Sequence, residues 1–277
     1  MKTLARAVSA EFAKLFTTRL WWILALVLFG YIALLAGGLS ALFGGIESGA
    51  ISPDAAGAGG APPPQFGELA PLIYSFASSV GYVFPVLLGA LATTGEFRHQ
   101  TLTPTFLATP KRGRVLGAKV GTLFVAGALY GAVALLASVG IGALIMSAFG
   151  IDTLLGESDT WALVGRALLA MALWATIGVG LGVLVPSQAA VIVVVLAFTQ
   201  FVEPLLRFAS MFTEVTAEIG QYLPGAASDA LVGASFFTIS SPASSLLEWW
   251  QGGLVLFAYA VLATIGGYFI SWKRDVT

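Results

Sequence analysis

The sequence predicts an all-α integral membrane protein with six transmembrane helices, and three observations carry that prediction. The chain is 58% hydrophobic and only 10% charged, with a mean hydropathy of +0.92, whereas soluble domains average about 45–50% apolar and about 25% charged residues. Its apolar residues fall into six runs almost free of Asp, Glu, Lys and Arg. The connections between those runs alternate sharply in the sign of their charge.

A membrane helix needs about 20 predominantly apolar residues to cross about 30 Å of hydrocarbon. Residues 1–20 precede the first such run. There Leu4, Val8, Phe12 and Leu15 recur at helical spacing with Arg6 opposite, the pattern of a helix lying in the interface. Glu11 falls inside that apolar stripe. It either snorkels or pairs with Lys14, three residues on, or part of the stripe faces a protein partner where Glu11 meets a basic group. The first span is 21–43, too long for the about 7–15 residues of a signal core, and so expected to be retained. Residues 44–68 are rich in Gly, Pro and Ala and nearly devoid of large apolar side chains; such a segment cannot bury enough surface to order itself, and a flexible outer loop is expected.

The second span is 69–94, with Pro71 near one end and Pro85 inside. The loop 95–119 carries five basic residues against Glu96. Within it Thr103 and Pro104 read as N-cap and first helical position, and Pro110 as a stop. A short helix over 104–109 presenting Phe106 and Leu107 is expected. The third span, 120–149, is longer than an upright crossing requires, and the fourth is 161–185. The fifth is 187–206, after the Pro186 boundary, and the sixth is 251–272. In the outer loop 207–250, Phe208, Met211, Phe212, Val215, Ile219 and Tyr222 form one apolar helical face ended by Pro224-Gly225. A second apolar piece, 226–237, follows, giving either a re-entrant helical hairpin or two surface-lying helices.

Orientation follows from the loops. Eleven of the 13 basic residues lie in the N-terminal segment, in 95–119 and after the sixth span, and 11 of the 14 acids lie on the opposite side. Both termini are therefore expected in the cytoplasm, with the whole of 1–277 forming one multi-pass transmembrane domain in the cell (plasma or inner) membrane.

Several chemistries are excluded or unsupported. With no cysteine and one histidine, His99, thiolate zinc sites, Fe–S ligation and HExxH chemistry are impossible; no metal site and no catalytic residue is expected. The stretch Gly113–Lys119 has the wrong spacing for a phosphate loop. The net charge of −1 says nothing of nucleic acid, which is not expected as a partner. The spans lack ionisable residues except at their ends, and buried ionisable groups are what ion-coupled carriers use. They contain small-xxx-small pairs, Gly127/Gly131 and Gly178/Gly182, which let helices approach closely.

The chain resembles the ABC-2 type permease family, the membrane subunits of ATP-driven exporters. The resemblance rests on SAEFAKLFTTRLWW before the first span, GEFRHQTL and LATPKRGRVLGAK between the second and third, PSQAAVIVVVLAFTQFVEPLL at the fifth and YLPGAASDAL in the outer loop. It implies a dimer, with a second copy or a paralogue, docked on two cytoplasmic ABC ATPase subunits that hold the ATP and Mg, this chain holding no cofactor. It implies a connecting helix at the N-terminus, a coupling helix within 98–109 seated in the ATPase, and outer re-entrant helices within 208–242. Carried over by position, Glu96, Arg98, Thr101 and Leu102 belong to the ATPase-facing loop, with Phe106 and Leu107 on its helix. Thr103-Pro104 departs from that pattern as a break where continuous helix is expected. A self-sufficient channel or secondary carrier is the alternative reading, and a membrane-embedded enzyme would need an acid/base or metal cluster that the sequence lacks.

Overall fold

The computed structural model describes residues 2–52, 66–210, 212–235, 237 and 247–273. It is helical throughout, and six of its helices are long and apolar enough to cross a membrane: Leu20–Glu47, Leu69–Arg98, Arg112–Ala148, Ser158–Leu184, Gln188–Ala209 and Trp249–Trp272. This is a multi-pass membrane protein.

Helix α1 (Lys2–Thr17) turns at Thr18-Arg19 into α2 (Leu20–Glu47), the first span. Trp21 and Trp22 stand at that turn, and Trp22 is exposed, the position tryptophan takes at a membrane interface. Most of the proposed outer loop 44–68 lies outside the described residues, although α2 already runs through Glu47.

The second span is two helices rather than one, α3 (Phe66–Ser79) and α4 (Val83–Arg98). Between them the Gly81 amide reaches back to the Phe76 carbonyl, five residues earlier, so the helical ladder is interrupted before α4 restarts with Pro85 in its first turn. A short helix α5 (Leu102–Ala108) follows. It begins two residues earlier than the Thr103 cap predicts and ends one residue sooner. Pro104 is its third residue, where the first turn has no intrahelical use for an N–H, so the expected break at Thr103-Pro104 does not occur. The third span begins at Arg112, not at 120: α6 (Arg112–Leu135) absorbs the basic residues 112–119, passes through a π turn at Leu136–Ile141 and ends as α7 (Gly142–Ala148).

The fourth span is α8 (Ser158–Leu184). Ser187 then caps α9 (Gln188–Ala197), accepting from the Ala190 amide. A π turn at Phe198–Val202 leads into α10 (Glu203–Ala209), completing the fifth span. The single amphipathic helix expected over 208–222 is divided. Phe208 ends the fifth span, and a Thr213/Thr216 capping box starts a separate α11 (Glu214–Gly220). After Pro224, which opens it, comes α12 (Pro224–Val232), shorter than the predicted 226–237 piece and largely buried; residues 238–246 lie outside the described set. The sixth span is α13 (Trp249–Gly267) with a terminal π turn, Tyr268–Trp272.

The fourth span is the axis of the bundle, packed on the second, third and sixth spans. It manages this by being thin: Ala167, Ala170, Ala172, Ala175, Gly178, Gly180 and Gly182 are all buried. The structure places the four glycines singled out from sequence at helix crossings. A Cβ at Gly178 would strike the Val86 carbonyl of the second span, and one at Gly182 would come 2.7 Å from the Ala90 carbonyl. Gly127 of the third span would meet Ala175 at 2.6 Å and the Met171 carbonyl at 2.7 Å. Gly131 faces only side chains and Cα atoms of Leu168 and Met171 at 3.2–3.3 Å. The first, fifth and sixth spans are the least enclosed and show long apolar faces.

Backbone cannot move aside as a side chain can, so Gly178→Ala is expected to lower stability by at least about 1–3 kcal/mol and Gly131→Ala by clearly less. Thermal unfolding of the two variants in the same detergent measures this; equal midpoints would contradict the packing described.

Candidate functional site

At the end of the bundle where α1, α5 and the basic residues collect, four charged side chains meet, three of them buried and Lys14 38% exposed at its side chain. Glu11 and Lys14 come from α1, Glu96 from the last turn of α4, and Lys119 from the second turn of α6. Lys14 Nζ lies 2.7 Å from both Glu11 Oε1 and Glu96 Oε1. Lys119 Nζ bonds Glu11 Oε2 and stands 3.3 Å from Glu96 Oε1. Glu11, Glu96 and Lys119 are 2–7% exposed at their side chains, which removes the screening that makes surface pairs weak. Two acids and two bases sum to zero. That balance is what lets the set leave water.

Glu11 thus finds both a local partner, Lys14, and a distant one, Lys119, and the distant one belongs to this same chain. Burial pushes the Glu11 carboxyl up, but the Lys119 and Lys14 ammonium groups outweigh burial and hold it below its usual value. For Lys14, burial lowers and the Glu96 and Glu11 carboxylates raise, leaving it above its usual value.

The cluster also reaches α5. Lys14 Nζ donates to Thr105 Oγ1 at 3.4 Å, so one lysine ties α1 to α4 and to the short helix. On its other side α5 rests on the end of the sixth span. The Phe106 ring meets the Trp272 indole edge-on at 5.5 Å between centroids, and the Arg112 guanidinium lies 5.0 Å above Phe106. Trp272 Nε1 donates to the Arg112 carbonyl at 3.1 Å, and Arg112 Nη1 donates back to the Lys273 carbonyl at 2.8 Å. Phe97 completes the aromatic joint, 5.9 Å from Trp272.

The residues expected together in a loop are therefore divided in two. Glu96 and Leu102 are interior, Leu102 being 1% exposed, and Phe106 is packed inward on Trp272. Thr101 is exposed, and Arg98 reaches across to Gln188 of the fifth span at 2.9 Å. Leu107, 80% exposed, is the large apolar residue that α5 presents outward. Sequence reasoning passed over Lys119 and Trp272. Lys119 had a signal: one turn from Val115 and one turn from Leu123, it sits in an apolar stripe of its own, mirroring Glu11 in α1.

The opposite end holds a second polar set. Two of the acids at this end are engaged at α12. The Glu203 carboxylate accepts from the Gly225 amide at the start of α12, and Arg207 pairs with Asp229 in the middle of that helix. Burial pushes the Asp229 carboxyl up, against the pull of Arg207 and the Ser235 hydroxyl. The Ser228 hydroxyl accepts from Trp174 Nε1 at 3.0 Å, so α12 is pinned to the fourth and fifth spans. Among the described residues no group of three His, Asp or Glu is placed to hold a metal ion.

No protein-family model matches this chain, and no curated protein matches it in sequence.

Removing one partner of a buried ion cluster leaves an uncompensated charge, at a cost of about 3–5 kcal/mol. Lys119→Met is expected to show that loss in detergent unfolding, and the added change Glu11→Gln to recover part of it; additive losses would mean that the two do not interact. The cluster also sets a pH window. The stability from depressed Glu11 is present above its ordinary value of 4.5 and lost as pH falls through the lower folded-state value. That from raised Lys14 is present below its ordinary 10.5 and lost as pH rises through the higher one. The chain has no cysteine, so a spin label at Ser9→Cys reports α1 alone. It is expected to gain mobility at both extremes and to stay immobile between pH 5 and 9.

Proposed function

We propose that this chain is the permease half of an ABC-2 type exporter, moving a substrate outward across the cell membrane with ATP hydrolysed by a separate cytoplasmic ATPase. The observation that carries this reading is the way α5 is held. It is a short helix between two spans, braced by Lys14 on one side and Trp272 on the other, with Leu107 pointing away from the bundle. A push on Leu107 is delivered at once to the second and third spans by covalent connection, to α1 through the ion cluster and to the sixth span through the aromatic joint. That is what a coupling helix must do. The basic end faces the cytoplasm by the charge rule, α1 lies in the inner interface as the connecting helix, and α11 and α12 form the outer hairpin.

The spans supply no energy source of their own. Their ionisable side chains sit at the two ends, and Glu96, Lys119 and Arg207 are committed to structural ion pairs, which argues against an ion-coupled carrier. The exposed faces of the first and fifth spans are available to a second copy or a paralogue, giving twelve spans over two ATPases. The chain itself is non-catalytic, with ATP and Mg held by the partner.

A Leu107→Cys cross-linker in native membranes is expected to capture an ABC ATPase, and Leu107→Asp to reduce that ATPase's stimulation about tenfold with the unfolding midpoint unchanged. Modification of Leu107→Cys from outside intact cells would overturn the reading. So would ATP hydrolysis, or flux driven by an ion gradient, by the purified chain in liposomes.

A further inference from the structure

Beside the ion cluster lies a cavity of about 400 Å³ that its four side chains only partly line. Its walls come from the α1–α2 turn (Leu15, Thr18, Leu20), from the end of the second span (Leu91, Arg98, His99), and from Leu123 and Gln188 of the third and fifth spans. Its depth follows from those elements. Leu20 begins the first span, Arg98 ends the second helix pair and Gln188 begins the fifth span. The exposed Trp22 follows two residues after Leu20, and tryptophan marks the headgroup level. The cavity therefore sits where acyl chains end and phosphates begin.

Its chemistry is divided in the same way. Leu15, Leu20, Leu91, Leu123 and Ala92 make the apolar part of the wall, polar and charged residues line the rest, and the charged cluster contributes zero net charge. The uncompensated charge is Arg98, which spends one guanidinium nitrogen on Gln188 and keeps further donors for a ligand. His99 and Thr101, both exposed, stand beside it. A site with an apolar wall, a net positive pole and donors at headgroup depth fits an amphiphile with one anionic phosphate.

We infer that this cavity binds a phosphate-bearing group supplied by an anionic phospholipid, whose phosphate rests on Arg98 and His99 and whose acyl chains run along Leu20 and Leu91. A phosphodiester accepts the guanidinium and imidazole donors, while the same walls give a free phosphate nothing apolar to gain. Zwitterionic lipid adds a trimethylammonium group beside Arg98, so it binds less well. The inference does not depend on what drives the spans and holds for an exporter, a carrier or a channel alike.

The test uses the full chain, delipidated in a neutral detergent and titrated with dioctanoyl phosphatidylglycerol, dioctanoyl phosphatidylcholine or inorganic phosphate, with bound molecules counted by native mass spectrometry. One phosphatidylglycerol per chain is expected to bind saturably, at least tenfold more tightly than phosphatidylcholine. Arg98→Gln should weaken it about tenfold and His99→Gln by a smaller factor. Arg114→Gln, an exposed basic change on α6 outside the cavity, should leave it unaltered. Circular dichroism and unfolding midpoints show that each variant is folded. Equal binding of the two lipids, equal loss in Arg114→Gln, or no loss in Arg98→Gln would overturn the proposal by reducing the lipid to a nonspecific annulus. Inorganic phosphate competing at the concentration of the lipid would overturn it in favour of a soluble anion site.

Discussion

The architecture of the basic end depends on an ion cluster in which Glu11, Glu96 and Lys119 have left water and Lys14 closes the set from a partly exposed position. Helix α1 has no covalent tie to the loop or to the third span, and its outward face carries exposed Leu4 and Phe16, which lipid satisfies as well as protein does. What fixes it to this bundle, in this register, is Glu11 between two lysines. Desolvating an ion costs several kcal/mol, so the arrangement is tolerable only when all four partners are in place. That all-or-none character makes α1, α4, α5 and α6 behave as one body. A purely apolar contact is non-directional and would let α1 roll along the surface. The charge pairs hold it to one angle.

Below this joint the bundle is organised around a helix with little side chain. The fourth span brings the second, third and sixth close because its contact faces are Gly and Ala. In lipid, where apolar burial gives little driving force between helices, close backbone packing is what remains. The neighbours reciprocate with small residues of their own, Gly89 of the second span against the Ala175 carbonyl and Gly267 of the sixth against Val183. The first and fifth spans lie outside this body. The first packs along its length on the third, burying Leu28, Ile32, Ala36, Gly37 and Ser40, and the fifth packs on the second with Val191 and Val195 buried. The Trp21 carbonyl that accepts from Tyr130, and Glu203 and Arg207 on α12, add polar ties.

The sequence displays those features that depend on period and composition. Six spans follow from hydropathy, the amphipathic N-terminal helix from its 3.6-residue spacing, and the Pro186 boundary from a proline that can neither continue one helix nor sit deep in the next. The register of what lies beyond a π turn is not displayed. One extra residue rotates everything downstream by about 100°, and nothing in the letters marks where it enters. Trp272 is the clearest case. It is a terminal residue that composition places at the interface, yet the π turn at Tyr268–Trp272 brings it inward beneath Phe106. The partner of Glu11 was hidden for another reason. A charge inside an apolar stripe announces that it needs a counter-ion but not which of several basic residues supplies it. Matching the two anomalous stripes, Glu11 in α1 and Lys119 in α6, was possible only by treating both as buried.

The two polar sets, one at each end, divide the labour between them. At the basic end the charges join a surface helix, a short strut and two spans. At the acidic end they hold α12 against the fourth and fifth spans. Between them lie side chains that are almost wholly uncharged, packed at distances that backbone atoms fix. Sliding one inner helix along another would drive carbonyls into Cα atoms at Gly178 and Gly127, so gradual internal shear is the costly motion. The inner helices are therefore held at fixed spacing by backbone contacts rather than by side-chain fit alone.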